Sequence, residues 1–183
     1  RKRQAANYKF RRNPAMQLRD LALQGKASEA LELFERTPKT ELRRDTFVFN
    51  QLLLACARAG AWNRSFKVFN RLKKHAVEPD LRTFSMLVDC LANVVHEPSV
   101  TPQQRIVWTR KRLDYVADQL HARGMRPNAQ LYNVVFKTLA AVGDINGALS
   151  LLREMDLGKE AGAVGGGVFG TGGRKGETEE EEE

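Results

Sequence analysis

The sequence predicts an all-α protein in which about four helix-turn-helix repeats stack into an α-α superhelix, and three observations carry this. A block over residues 11–45 is followed, with no residue gained or lost, by a block over 46–80. Landmarks recur 35 apart: Gly25 with Gly60, Leu33 with Val68, Phe34 with Phe69, Asp45 with Asp80. Within each block the apolar residues recur at helical spacing rather than alternating. A fixed period of this length marks a solenoid, in which each helix pair buries its apolar face against its neighbours and leaves a long surface for a ligand.

In the first block, Leu18, Leu21 and Ala22 precede Gly25, and Ala30, Leu33 and Phe34 follow it; Pro38 interrupts the closing turn. In the second, Phe49, Leu52, Leu53 and Cys56 form a first helix, and Gly60 supplies the left-handed residue that ends it. A second helix starts near Trp62, buries Phe66, Phe69 and Leu72, and cannot continue through Pro79. The third block runs over 81–128, because Gly124 to Asn128 parallels Ala76 to Asp80. It has 48 residues, 13 more than the period. The surplus falls between Asn93 and Gln104, and Thr101-Pro102-Gln103-Gln104 reads as a helix start: an N-cap, proline at the first position, and glutamine completing a capping box. The helix beyond it carries Ile106, Leu113, Val116, Ala117 and Leu120 inward, so the insertion is expected to be a loop plus an extended second helix jutting from one side. A partial fourth block, 129–157, runs through Tyr132, Val135, Phe136 and Leu139 to Gly143, then Ala148, Leu151, Leu152 and Met155.

Residues 1–10 form a basic N-terminal arm, and the repeat array covers 11–157. The chain starts at Arg1 with no acidic residue before Asp20, which suits either the end of an organellar presequence or an RNA-facing arm. Residues 158–183 contain nine glycines up to Gly176 and then an acidic run, so they cannot bury enough surface to offset ordering entropy and are expected to be disordered.

Net charge is +8, but six glutamates sit in the last seven residues, leaving +14 on the remainder. That balance favours a polyanionic partner, because clustered lysine and arginine displace counterions from phosphates. Cys56 and Cys90 are too few and too distant for a zinc site or a disulfide framework and are expected to be reduced core thiols. No apolar run approaches the ~20 residues of a membrane-spanning helix, so no membrane partner is expected. His75, His96 and His121 have no cysteine or carboxylate cluster at ligand spacing, and Gly165-Gly166-Gly167 neither follows a strand nor opens a helix. No metal, cofactor, small-molecule substrate or catalytic residue is therefore expected.

Thr46-Phe-Val-Phe-Asn50 opening a helix, Ala59-Gly60 closing it, Phe69-Asn-Arg-Leu72 in the next and Val77-Glu-Pro-Asp80 at the end resemble the pentatricopeptide repeat. The third and fourth blocks open in the same frame, Leu81-Arg-Thr-Phe-Ser85 and Ala129-Gln-Leu-Tyr-Asn133. The resemblance implies that each repeat faces one base of single-stranded RNA, read by its fifth and last residues, while residues at position 2 of neighbouring repeats sandwich the base planes. Carried onto this chain, Asn50 with Asp80 looks like a uracil-preferring pair and Ser85 with Asn128 like an adenine-preferring pair. Phe47, Arg82 and Gln130 occupy the sandwiching position. The first block departs from the pattern with Ala15 at its fifth position, paired with Asp45. In the fourth, Asn133 matches, but its counterpart falls at Ala163 in the glycine-rich segment.

The resemblance thus implies a noncatalytic, single-stranded RNA-binding module of a mitochondrion or chloroplast, acting in RNA processing, stability or translation. Deaminase extensions of the family bring His-x-Glu and paired Cys-x-x-Cys, and neither occurs here. Two intact pairs select few bases, so the chain is expected to be a piece of a longer array. The alternative is a helical-repeat interaction scaffold, such as a subunit associated with the organellar ribosome or with processing proteins.

Overall fold

The computed structural model describes residues 13–37 and 45–160, with side chains as far as residue 153. The basic arm, Pro38 and residues 161–183 lie outside the described residues. Within them the protein is all-helical: α1 (Pro14–Leu23), α2 (Ala27–Arg36), α3 (Thr46–Arg58), α4 (Trp62–Lys74), α5 (Leu81–Leu91), a 3-10 helix (Ala92–His96), α6 (Pro102–His121), α7 (Ala129–Ala141) and α8 (Ile145–Glu160). α8 extends three residues into the stretch expected to be disordered; once nucleated, a helix gains one hydrogen bond for each residue it adds, and the last apolar landmark does not mark its end.

Helix boundaries follow local chemistry. Asn13, Asp45, Asp80 and Asn128 each cap a first helix with a side-chain oxygen, accepting from Ala15, Phe47, Thr83 and Leu131 backbone N–H groups respectively. Three of these caps are the last residue of a block, so the residue that closes one repeat also starts the next. Gly25, Gly60 and Gly143 turn between paired helices with φ of 71°, 68° and 80°, a region a Cβ penalises. Thr101 and Gln104 form the reciprocal capping box read from the sequence.

The first helices α1, α3, α5 and α7 pack one on the next in a continuous row, and α2, α4 and α6 each lie between their own first helix and the following one. The core is correspondingly continuous. Phe34, Phe49, Phe69 and Phe84 are each at most 1% exposed, and Phe34 meets Phe49 edge to face at 5.3 Å across the first repeat junction. Cys56 and Cys90 are free and buried. Burial pushes the Cys56 thiol up to about 11 and that of Cys90 further still, so both stay protonated. At the other end of the row Phe136, Ile145, Leu149 and Leu152 stand exposed, because no described helix follows α8.

The insertion differs from the expected loop. Directly after α5 the chain tightens into the 3-10 helix, which touches α4, α5, α6 and α7. Val94 is 2% exposed and packs with Trp62 and Val142, flanked by Val95 and Ile106, in a small core separate from the main one. The following helix does not jut out: Thr109, Leu113, Val116 and Leu120 are all buried. Two adjacent valines supply enough apolar surface to hold the segment down, and Asn93 donates to the Ala57 carbonyl at 3.1 Å. α6 is then latched to the fourth repeat by Arg110, whose guanidinium meets both Asp144 carboxylate oxygens at 2.6 Å.

Candidate nucleic-acid interface

The N-terminal ends of the first helices carry the residues singled out above. Asn50 is one turn into α3, and Asp80 caps α5. Stacking of α3 on α5 brings them together across 30 residues of chain, with Asn50 Nδ2 donating to Asp80 Oδ1 at 3.3 Å. Thr83, buried at 0% exposure, lies between them: its hydroxyl is 2.8 Å from Asn50 Oδ1 and 2.8 Å from Asp80 Oδ1. One hydroxyl proton can serve only one of these oxygens at a time.

The cluster is only partly open. Asn50 is 4% exposed, and both ends of its carboxamide are engaged within the protein. Asp80 is exposed. Burial alone would raise its pKa, but hydrogen bonds from the Thr83 hydroxyl and backbone and from Asn50, with the Arg82 charge nearby, outweigh this and hold its carboxyl below the usual range. The site is therefore an anionic acceptor on a pre-set polar shelf, and a base that uses the Asn50 amide must displace its bond to Asp80.

The second candidate pair has no such shared hydrogen bond. Ser85 is 6% exposed and donates back to the Leu81 carbonyl at 2.9 Å, while Asn128 Oδ1 accepts from the Leu131 N–H at 2.9 Å. Phe47, Arg82, Gln130 and Asn133 are exposed, so the sandwiching position faces solvent in all three blocks that supply it. Sequence reasoning missed Thr83. Its signal was present in Asp80-x-x-Thr83, a capping-box spacing, and both halves of that box form here. Among the described residues, no group of three or more His, Cys, Asp or Glu side chains could hold a metal ion. None of the described helices is long and apolar enough to cross a membrane.

Fold and site together define a two-layer helical-repeat protein whose row of first helices presents short polar groups and stacking-competent side chains near the start of each helix. The PPR repeat family model matches residues 44–93, and the PPR repeat model matches residues 131–157. Mitochondrial pentatricopeptide repeat-containing protein 1 of Mus musculus is 30% identical over 141 residues, covering 76% of this chain and 19% of that protein. A chloroplastic pentatricopeptide repeat-containing protein of Arabidopsis thaliana is 30% identical over 67 residues, 37% of this chain and 8% of that protein. Among solved structures, the pentatricopeptide repeat protein PPR10 in complex with an 18-nt psaJ RNA element aligns over 79% of this chain and 24% of that one, with 19% identity and a TM-score of 0.39. The chain belongs to the pentatricopeptide repeat family and spans about a fifth of the length of the mitochondrial relative. Its relatives place it among organellar proteins.

Proposed function

We propose that this chain is a noncatalytic, single-stranded RNA-binding segment of a longer organellar repeat protein that acts in RNA processing, stability or translation. The observation that carries the reading is the contact between Asn50 and Asp80. The fifth and last residues of one repeat, 30 apart in sequence, converge on a single exposed carboxylate flanked by the exposed position-2 residues Phe47 and Arg82. An aromatic ring and a guanidinium can both stack on a base, and Asp80 can accept from a base N–H. Uracil is the base this pair favours; the Ser85 and Asn128 pair, with each member bonded elsewhere, contributes less selection.

The near-complete burial of Asn50 and Ser85 favours a second reading, a scaffold for an organellar ribosome or processing protein that needs no base selection. Titration of the chain with short single-stranded RNAs that differ at one position separates the two. A preference for uridine that Asn50→Ala removes supports RNA reading; equal affinity for every sequence supports the scaffold.

A further inference from the structure

A second surface lies on the side away from the first-helix row. The lengthened helix α6, 20 residues against 13 in α4, runs beside α4 and leaves an open cleft of ≈ 1150 Å³. Its walls are aromatic: Trp62 faces Trp108 at 6.1 Å between ring centres, and Phe66 faces Tyr115 at 6.4 Å. The Arg112 guanidinium lies 5.1 Å from the Trp62 ring centre and 5.5 Å from that of Phe66, and Lys73 donates to the Tyr115 hydroxyl at 2.7 Å. These contacts fix the rings in place. Trp108 nevertheless remains 36% exposed. Lys74 and Lys111 also line the cleft, and among the described residues no aspartate or glutamate does.

Four cations and several rings with no acidic lining suit a ligand that carries both negative charge and flat π faces. An acidic peptide would meet the charge and leave the Trp108 face in water. A single strand of RNA meets both, since phosphates displace counterions from lysine and arginine and a base of any identity stacks on an aromatic ring. We propose that this cleft is a second, sequence-tolerant contact for single-stranded RNA, with one base stacked on Trp108 and the flanking phosphates at the lysine and arginine rim. It is independent of Asn50 and Asp80 and lies on a different face.

The chain provides its own reporter, because both of its tryptophans line this cleft. In a titration of the whole chain with an oligouridylate of about eight nucleotides, the size of one modest single-strand site, tryptophan emission should quench saturably, and an oligoadenylate of the same length should quench it too, because a base of any identity stacks on an aromatic ring. Trp108→Ala should weaken binding by roughly tenfold, and Lys74→Glu, at an exposed position, by several-fold at low salt. RNA binding with unchanged tryptophan emission overturns the proposal. So does a folded Trp108→Ala protein that binds like the wild type; if that variant fails to fold, wild-type affinity in Lys74→Glu has the same force. Should an oligoglutamate peptide quench as strongly as the RNA at equal ionic strength, the cleft is an acidic-peptide site and the RNA assignment fails. Quenching reports this cleft and uridine preference reports Asn50 and Asp80, so failure at one is distinguishable from failure at the other.

Discussion

Asn50→Ala separates what a residue does for the fold from what it does for a ligand. The substitution removes the 3.3 Å donor to Asp80 and the acceptor lying 2.8 Å from the Thr83 hydroxyl. Neither partner is orphaned, since that hydroxyl is also 2.8 Å from Asp80 Oδ1 and Asp80 Oδ1 keeps the Thr83 N–H at 2.6 Å. The loss is thus close to the net worth of one long bond to a carboxylate plus one neutral bond, about 1–2 kcal/mol. For a protein of this size that corresponds to a fall in Tm of roughly 2–8 °C. The RNA side should change by a comparable free energy, seen as a loss of about tenfold in the preference for uridine over other bases at one position. Thermal unfolding followed by circular dichroism gives the first quantity, and fluorescence anisotropy with single-base RNA variants gives the second. A cost above about 3 kcal/mol would refute the view that Thr83 compensates, and an unchanged base preference alongside lower stability would make Asn50 purely structural.

Three further outcomes follow from the packing. Hydrogen bonds from Arg110, outweighing burial and aided by the Gly147 N–H, hold the Asp144 carboxyl below its usual range. Its stabilisation is therefore complete above the ordinary carboxylate value near ~3.9 and is lost as pH falls through the lowered folded value; Asp144→Asn should flatten this acid limb in urea titrations at successive pH values. Gly147→Ala should destabilise by about 1–3 kcal/mol despite alanine's helix propensity. The new Cβ would come 2.6 Å from Asp144 Oδ2, on a side chain held by Arg110, and in an Asp144→Ala background the same change should turn stabilising. Phe69→Ala should cost about 3–5 kcal/mol in urea unfolding, because the ring is fully buried against Phe84 at 5.6 Å and edge-on to Tyr115 at 6.3 Å.

Much of this architecture is written in short-range patterns. Asp45, Asp80 and Asn128 recur where a helix needs a side-chain acceptor for its free N–H groups, and Gly25, Gly60 and Gly143 recur where the backbone must turn with positive φ. Such signals involve residues three or four apart, so they are legible one repeat at a time. The period then fixes that neighbouring hairpins stack, and Phe34, Phe69 and Leu72 are buried as their spacing requires.

What lies between repeats was decided by tertiary packing. That Thr83 would insert between Asn50 and Asp80, leaving the carboxylate open and the carboxamide enclosed, depends on how α3 settles against α5. The burial of Val94 beside Trp62 depends on a gap shared by four helices, and the Trp62–Trp108 cleft depends on where the insertion sets α6. The contacts between helices join residues 30 or more apart, where hydrophobic periodicity says which face is buried but not which polar partners meet there. The sequence by itself therefore determined the order and pairing of the described α-helices, because those rest on local hydrogen bonding and repeat length. Only the tertiary structure decided which polar groups remain open to a ligand, because exposure is a property of packed neighbours rather than of residue type.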